Sequence, residues 1–491
     1  MTYDIVIIGG GLLGASIARD AAGRGLSVCL FEQEDFGAGA TSRGSRLISG
    51  GLNALETLDF TRVREDIRER EILRRTAPHL VQAQSCLIPF YGYGVLAQTR
   101  LRAGLALTDA LGFDQSLAVH QVLSAAEARA RAPGLRPDGL MGAALVMEAA
   151  VPRIERLTLE IALDARRQGA SLRTHTRVEA LCRERSGRGR ERICGVLWRD
   201  ALTGEQGRAD TGLVISAVGA WQSDLETAAV SRPRLIKSVS LIGPVLPGRG
   251  DVLVFPREEE GRLLTVTPWP GGCWAGSAEA DFAGDLDTAH ATRAEVSALA
   301  RLADDFLPDA AWEHPAAALA AVHAPLPPHA VPFGVPFGVT APAYDIRDHA
   351  ANGGMREGLV TASVGRVTSA RAVAEEVVDL ACRKLGRALS TPPCRTDSTP
   401  LPAPAPPEDC LRASAERAVA EEECRTLRDF LQRRSALSWA PDGGRSAVPA
   451  VLETMSALLG WDGDRQAREV KAHMADMALR QAFHVFVCVQ D

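Results

Sequence analysis

Asp4-Ile5-Val6-Ile7-Ile8-Gly9-Gly10-Gly11-Leu12-Leu13-Gly14 is the stretch on which the reading of the chain turns. An apolar, β-branched run breaks at three glycines. Small residues then recur at helical spacing (Ile17, Ala18, Ala21, Ala22), and a second apolar run, Val28-Cys29-Leu30-Phe31, ends in Glu32 and Gln33. Strand, glycine turn, helix, strand and acid predict a βαβ unit that binds a dinucleotide. Gly9 allows the tight turn, Gly11 lets backbone approach a pyrophosphate, and Gly14 lets the helix pack on the strand. The helix N-terminus, with Leu13 in its first turn, offers free N–H groups to phosphate charge. Glu32 falls where a carboxylate accepts from a ribose 2′-OH, which favours an unphosphorylated adenosine ribose. A glycine turn alone is weak evidence, because plain βαβ turns share it; here strand context, spacing and position agree.

The next segment separates flavin from nicotinamide. Gly37-Ala38-Gly39-Ala40-Thr41-Ser42-Arg43-Gly44-Ser45-Arg46-Leu47-Ile48-Ser49-Gly50-Gly51-Leu52 is rich in glycine and hydroxyls, where a nicotinamide enzyme usually continues with another helix and strand. A flexible surface loop is the bland alternative. The segment resembles flavoproteins of the D-amino-acid oxidase and glycerol-3-phosphate dehydrogenase superfamily. That resemblance implies FAD, with Thr41, Ser42 and Ser45 near the pyrophosphate and Gly50, Gly51 and Leu52 near the flavin ring. The short strand His175–Val178 brings Val178 into the same expected site. The apolar run Leu213–Trp221 resembles the superfamily's second flavin-contacting strand, with Ala217, Gly219 and Trp221 at its carboxyl end. Gly358–Val364 predicts a further strand, Gly365 a turn, and Arg366–Lys384 a helix. Backbone N–H groups at Gly365, Val367 and Thr368, with the helix dipole, would stabilise the negative charge of a reduced flavin.

Composition sets the outer limits. The 491 residues are 46% hydrophobic and 24% charged, ordinary for a globular chain of roughly three domains. A net charge of -6 with no basic stripe argues against nucleic acid. Ten scattered cysteines show no CxxC or zinc-type spacing, so no metal site is expected. With the glycine turn starting at residue 9 and no run of transmembrane length, the expectation is a cytoplasmic protein. Peripheral contact with the inner face of the cell membrane stays open: residues 86–113 set apolar and aromatic groups beside Arg100 and Arg102, a pattern that fits packing under a substrate domain better than a bilayer surface.

The expected architecture is α/β: a Rossmann-like FAD-binding domain interleaved with an antiparallel-sheet substrate domain, followed by an all-α C-terminal domain. The FAD-binding parts are placed at about 1–80, 145–225 and 345–388, and the substrate parts at about 81–144 and 226–344. Phe60, Val63 and Ile67 recur at helical spacing in a charge-rich stretch whose charged face reads as solvated. Residues 389–408, rich in proline, read as a semi-rigid linker. Beyond it amphipathic periodicity predicts three helices, 409–437, 447–459 and 464–485, with a packing or assembly role; a homodimer is left open.

Taken together, the order of parts resembles FAD-dependent, quinone-linked glycerol-3-phosphate dehydrogenase over nearly the whole chain. The matching pieces include Thr41-Ser42, Gly50-Gly51-Leu52, Arg68-Glu69-Arg70-Glu71 with Ala77-Pro78-His79, Arg347-Asp348-His349 and Gly365-Arg366-Val367-Thr368. The substrate half departs from the pattern. Ser49 stands where the family has histidine, and Asn53-Ala54 where it has Arg-Tyr. Lys237-Ser238-Val239-Ser240 replaces Lys-Gly-x-His, and His323 replaces the arginine of Gly-Val-Arg-Pro-Leu. A hydrogen bond to a charged group is worth about 1.5–3 kcal/mol, so two lost arginines cost roughly 3–6 kcal/mol, on the order of 10²–10⁴-fold in phosphate affinity. Arg46, Arg366 and Arg371 are the candidates to compensate. The implied reaction passes a hydride from a carbinol carbon to flavin, with His323 as base, Arg347 and Arg366 holding phosphate, and a quinone-type acceptor. The alternatives are a flavin dehydrogenase or oxidase of an unphosphorylated hydroxy- or amino-acid, and a non-enzymatic flavoprotein.

Overall fold

The computed structural model describes residues 2–50, 59–92, 95–185, 191–222, 234–257, 262–269, 271–326, 344–351, 356–403 and 410–484. Gly51 and Leu52 lie outside this set. Among the described residues the chain builds three sheets and a helical C-terminal region.

The first sheet grows from the glycine turn. Strand β1 (Ile5–Ile8) leads into helix α1 (Leu12–Gly23) and strand β2 (Val28–Phe31). Helices α2 (Phe60–Thr76) and α3 (Ile154–Arg167) follow, then β3 (Ser171–Arg173), β4 (Val214–Ser216), β5 (Tyr344–Asp348), β6 (Leu359–Val364) and α4 (Ala370–Lys384). The sheet order is β5-β6-β4-β1-β2-β3, parallel except for β5 at the edge. Its central strands β1, β2 and β4 are buried on both faces, which is why β1 reads as continuous apolar residues rather than as an alternation. Ile5 and Ile7 face a core with α1, α3 and α4, while Val6 and Ile8 face a five-stranded sheet through Val178, Val196 and Trp198. Chain order reverses between β1 and β4, so a crevice opens at the carboxyl ends there.

The third, nine-stranded sheet is mostly antiparallel and carries a separate core around Leu241, Phe255, Leu264 and Trp312. Leu140–Ala150 runs unbroken in it, across the boundary expected near residue 145, and Leu47–Ile48 pairs with that strand. The segment Gln82–Tyr91 lies inside this sheet with Cys86, Leu87, Ile88 and Phe90 buried, so those apolar groups pack rather than face outward.

Three expectations are corrected. The charged residues of α2 are only partly solvated: Glu65, Arg68 and Arg75 are exposed, but Asp66, Glu69 and Arg70 are buried beside Val63 and Ile67. The proline-rich stretch does not span free space. Leu401 enters the main core and its N–H donates to the Thr76 carbonyl at 2.7 Å, while the Thr399 carbonyl accepts from Arg19 at 2.8 Å. The expected 409–437 helix breaks in two. Leu411–Glu421 ends, Glu423 turns through φ 54°, and Thr426 with Asp429 forms a capping box that starts Leu427–Asp429. That start continues directly as a π-helix, Phe430–Arg434. Helices Val448–Leu459 and Gly463–Arg480 complete the region, the second ending before the expected limit at 485.

Candidate active site

The glycine turn is defined by backbone approach. Gly9 has φ +103°, and a Cβ there would stand 2.6 Å from the Ala217 carbonyl oxygen; one on Gly14 would stand 1.9 Å from the Gly9 oxygen. No side chain beyond hydrogen fits either place. Gly9 is therefore required by the turn after β4 as well as by its own loop. Gly11 differs: a Cβ there would meet a single side-chain atom, the Thr41 hydroxyl, at 3.3 Å, and no backbone. As N-cap of α1 it supplies no side-chain cap, which leaves the Leu13 and Gly14 amides of the first turn to an external anion. Thr41 accepts from the Leu12 N–H at 3.3 Å, and Leu13 is buried beneath.

Glu32 follows β2 and accepts from the Gly10 N–H at 2.6 Å and the Glu34 N–H at 2.8 Å. Burial pushes its carboxyl up to about 7 despite these two donors. Gln33 is half-buried beside it. Val178 packs with Ile8 and Phe31 at the same end of the sheet. After β4, Ala217 donates to the Ile8 carbonyl at 2.8 Å, and Gly219 (φ +58°) has open space where its Cβ would be. The Trp221 ring lies across Gly39. Ser42 is buried and its hydroxyl donates to the Gly39 carbonyl, whereas Ser45 is exposed. The Gly50 N–H donates to Glu148 at 2.7 Å, and Arg70 pairs with the same carboxylate.

The end of β6 differs from expectation. Helix α4 begins at Ala370, four residues later than predicted, because the Arg366 and Thr368 side chains both reach Asp66 on α2 and hold 365–369 as a turn. Gly365 is exposed there, and Val367 packs on the main core. Burial raises the Asp66 pKa even though Arg366 opposes it. Arg347 sits opposite Thr361, three residues short of Val364, which places it roughly 10 Å back from the strand end. Its side chain is 49% exposed and pairs with Asp345. Arg366 thus follows directly on the carboxyl end of β6, whereas Arg347 stands back from it. His323 is half-buried at the end of Ala317–His323, a strand that packs against the turns Ala40–Arg43 and Gly219–Trp221.

The two other compensating arginines are engaged elsewhere. Arg46 (φ 62°) is buried, bonds Glu155 at 2.5 and 2.8 Å, and lies against Trp269, Trp274 and Trp439. Arg371 bonds Glu69 at 2.6 and 2.7 Å and Glu375 at 2.8 Å. Removing either cation from its carboxylate would strand a buried charge, at about 3–5 kcal/mol, more than a surface phosphate contact returns. They are structural cations. Asp66, Glu148 and Glu155, which fix these groups, were missed from the sequence. For Asp66 the signal was present: it shares the i, i+3, i+4 stripe with Val63, Ile67, Glu69 and Arg70.

Residues 4–375 match the family described as FAD dependent oxidoreductase, and residues 389–466 the C-terminal domain of alpha-glycerophosphate oxidase. The chain belongs to the FAD-dependent oxidoreductase family. The glycerol-3-phosphate dehydrogenase of Synechocystis sp. is 28% identical and aligns over 96% of this chain and 95% of its own length. That of Mycobacterium leprae is 34% identical over 60% of this chain, which spans only half of that relative. Among solved structures, glycerol-3-phosphate dehydrogenase from Bacillus halodurans complexed with FAD superposes with a TM-score of 0.75 at 19% identity, covering 99% of this chain and 96% of that one. L-alpha-glycerophosphate oxidase from Mycoplasma pneumoniae with FAD bound gives 0.59 at 16% identity, covering 82% and 100%. At such identities the structures establish the fold. The open space at Gly219 and the start of α1, which has no side-chain cap, fit the FAD that this family uses. The chain is a flavin-dependent oxidoreductase, and among its described residues no helix is long and apolar enough to cross a membrane.

Proposed function

We propose that the chain oxidises the secondary carbinol of glycerol-3-phosphate, or of a close polyol phosphate, and passes the electrons to a quinone. The observation that carries this is the alignment, over almost the full length of both chains, with a relative named glycerol-3-phosphate dehydrogenase. Bound FAD supplies the acceptor for the hydride from the carbinol carbon. The chain's own residues do the rest. Gly9, Gly11, Leu13, Gly14, Thr41, Ser42 and Ser45 line the phosphate path, with Glu32 and Gln33 at the ribose and Val178 beneath. Gly50, Ala217, Gly219, Trp221, Gly365, Val367 and Thr368 border the ring. His323 takes the hydroxyl proton, as an imidazole does near neutral pH, and Arg366 holds the phosphate.

Leu107, Phe113, Val119 and Val122 are exposed apolar groups between residues 107 and 122, and they support peripheral contact with the inner membrane face, where a quinone is met.

A second reading, an unphosphorylated hydroxy- or amino-acid substrate, is favoured by one observation: Arg46, Arg366 and Arg371 each already have a carboxylate partner. The two are separated by steady-state turnover with a soluble quinone, using glycerol-3-phosphate, glycerol and a panel of hydroxy- and amino-acids, with peroxide assayed in parallel. The first reading expects turnover with the phosphorylated polyol, dependent on quinone and without stoichiometric peroxide. Turnover confined to unphosphorylated acids overturns it.

A further inference from the structure

We propose that the C-terminal helical domain clamps the adenosine end of the FAD site, with Asp35, Arg433 and Arg434 as positioning residues. The proposal rests on FAD occupying the glycine-turn crevice and is independent of the substrate.

The segment from Glu32 to Gly37 lies in neither strand nor helix, so its place is set by what it bonds on each side. On the inner side Glu32 accepts from Gly10, and the Gly37 N–H donates to the Gly10 carbonyl at 3.0 Å. These bonds tie it to the turn that approaches the cofactor. On the outer side the Glu32 backbone is held by Arg173 and Thr176, while the side chains of Glu34 and Asp35 bond the C-terminal domain. Asp35 has no exposure, and its Oδ2 accepts from Arg433 Nε at 2.5 Å and from Arg434. Glu34 pairs with Arg428 at 2.6 Å. The Glu34 carbonyl accepts from the His175 N–H at 2.6 Å, and the His175 ring in turn bonds Asp429 at 2.9 Å.

Two adjacent arginines reach one carboxylate oxygen because Phe430–Arg434 winds as a π-helix. The wider turn brings consecutive side chains closer in direction than an α-helix does, and such bulges recur at functional sites. The chain then leaves through Ala436 at φ 122°, and the Arg153 guanidinium holds the Arg434 carbonyl at 2.8 Å. A second contact set in the same interface, Arg166 with the Glu423 carboxylate and the Glu421 carbonyl, ends on α3, away from this loop. That set offers a control, since it shares the domain contact without the loop.

The test uses full-length protein and measures the FAD dissociation constant of the apoprotein by flavin fluorescence, and kcat at saturating FAD. Asp35→Asn keeps the shape and removes the charge that both arginines grip. It is expected to weaken FAD about tenfold or more. Arg434→Lys is expected to weaken it less, and Arg166→Ala to leave it within about twofold, with kcat at saturating FAD near the parent value in all three. Unchanged FAD affinity in folded Asp35→Asn overturns the proposal. So does an equal loss in Arg166→Ala, which would mean that any loosening of the domain acts alike. If Asp35→Asn does not fold, Arg434→Lys decides: FAD affinity equal to the parent overturns the clamp.

Discussion

At the glycine turn the deciding contacts run between backbone atoms; at Arg366 they run between side chains borrowed from a distant helix. Gly9 and Gly14 fit because there is no room for a Cβ, a constraint that a sequence displays directly as glycine. Arg366 owes its place to Asp66, 300 residues earlier, and nothing at position 366 announces the partner. A binding loop made of backbone keeps its spelling. A substrate site made of paired side chains can exchange partners while its frame stands.

The largest effect that would break this contrast lies at Gly14. Gly14→Val places carbon against the Gly9 oxygen, which no rotamer relieves, and should cost more than about 4 kcal/mol. Purified variant protein is expected without flavin or in the insoluble fraction; full flavin content would show that the close approach is not obligatory. Next comes Arg366→Ala, which removes one charged hydrogen bond to a phosphate, worth about 1.5–3 kcal/mol, or roughly 10–150-fold in kcat/KM for glycerol-3-phosphate. FAD content should stay intact. An unchanged kcat/KM would move the phosphate away from β6.

Asp66→Asn sharpens the comparison from the other side. Asp66 competes with any substrate anion for Arg366, so weakening that pair should lower KM for the phosphorylated substrate about threefold or more, with kcat nearly constant. A raised KM instead would mean that Asp66 serves only to aim the guanidinium.

The smallest effect belongs to Glu32. Its carboxyl sits near 7 in the folded chain against an ordinary value near 4.5, so folding favours the protonated form. Its contribution to stability is therefore greatest at low pH and declines as pH rises from about 4.5 through 7. Ribose hydroxyls donate better to the ionised form, so FAD binding should tighten as pH rises from 6 to 8. Glu32→Gln should flatten that profile. A profile unchanged by the substitution would assign the pH dependence to another group.

These differences explain what could be read in advance. The β1–α1–β2 unit, Glu32, the run into Ala217 and Gly219 and the doubly covered parallel sheet were legible because apolar period and glycine spacing encode them locally. The break at Glu422–Arg425 was not, since the amphipathic period continues across it and only Thr426 with Asp429 marks a new start. Leu401 looked like linker because prolines surround it, yet its side chain, its N–H and the Thr399 carbonyl suffice to seat the segment. The acids of α2 looked solvated because their arginine partners are remote in sequence. Arg347 was assigned from its motif, and only strand register shows that it stands back from the crevice.

The most direct measurement is anaerobic titration of the purified flavoprotein with glycerol-3-phosphate, following the visible absorbance of its flavin. The account predicts that the flavin bleaches stoichiometrically, that glycerol leaves it oxidised, and that quinone restores the colour. Flavin that stays oxidised under excess glycerol-3-phosphate but is reduced by a hydroxy- or amino-acid would contradict it.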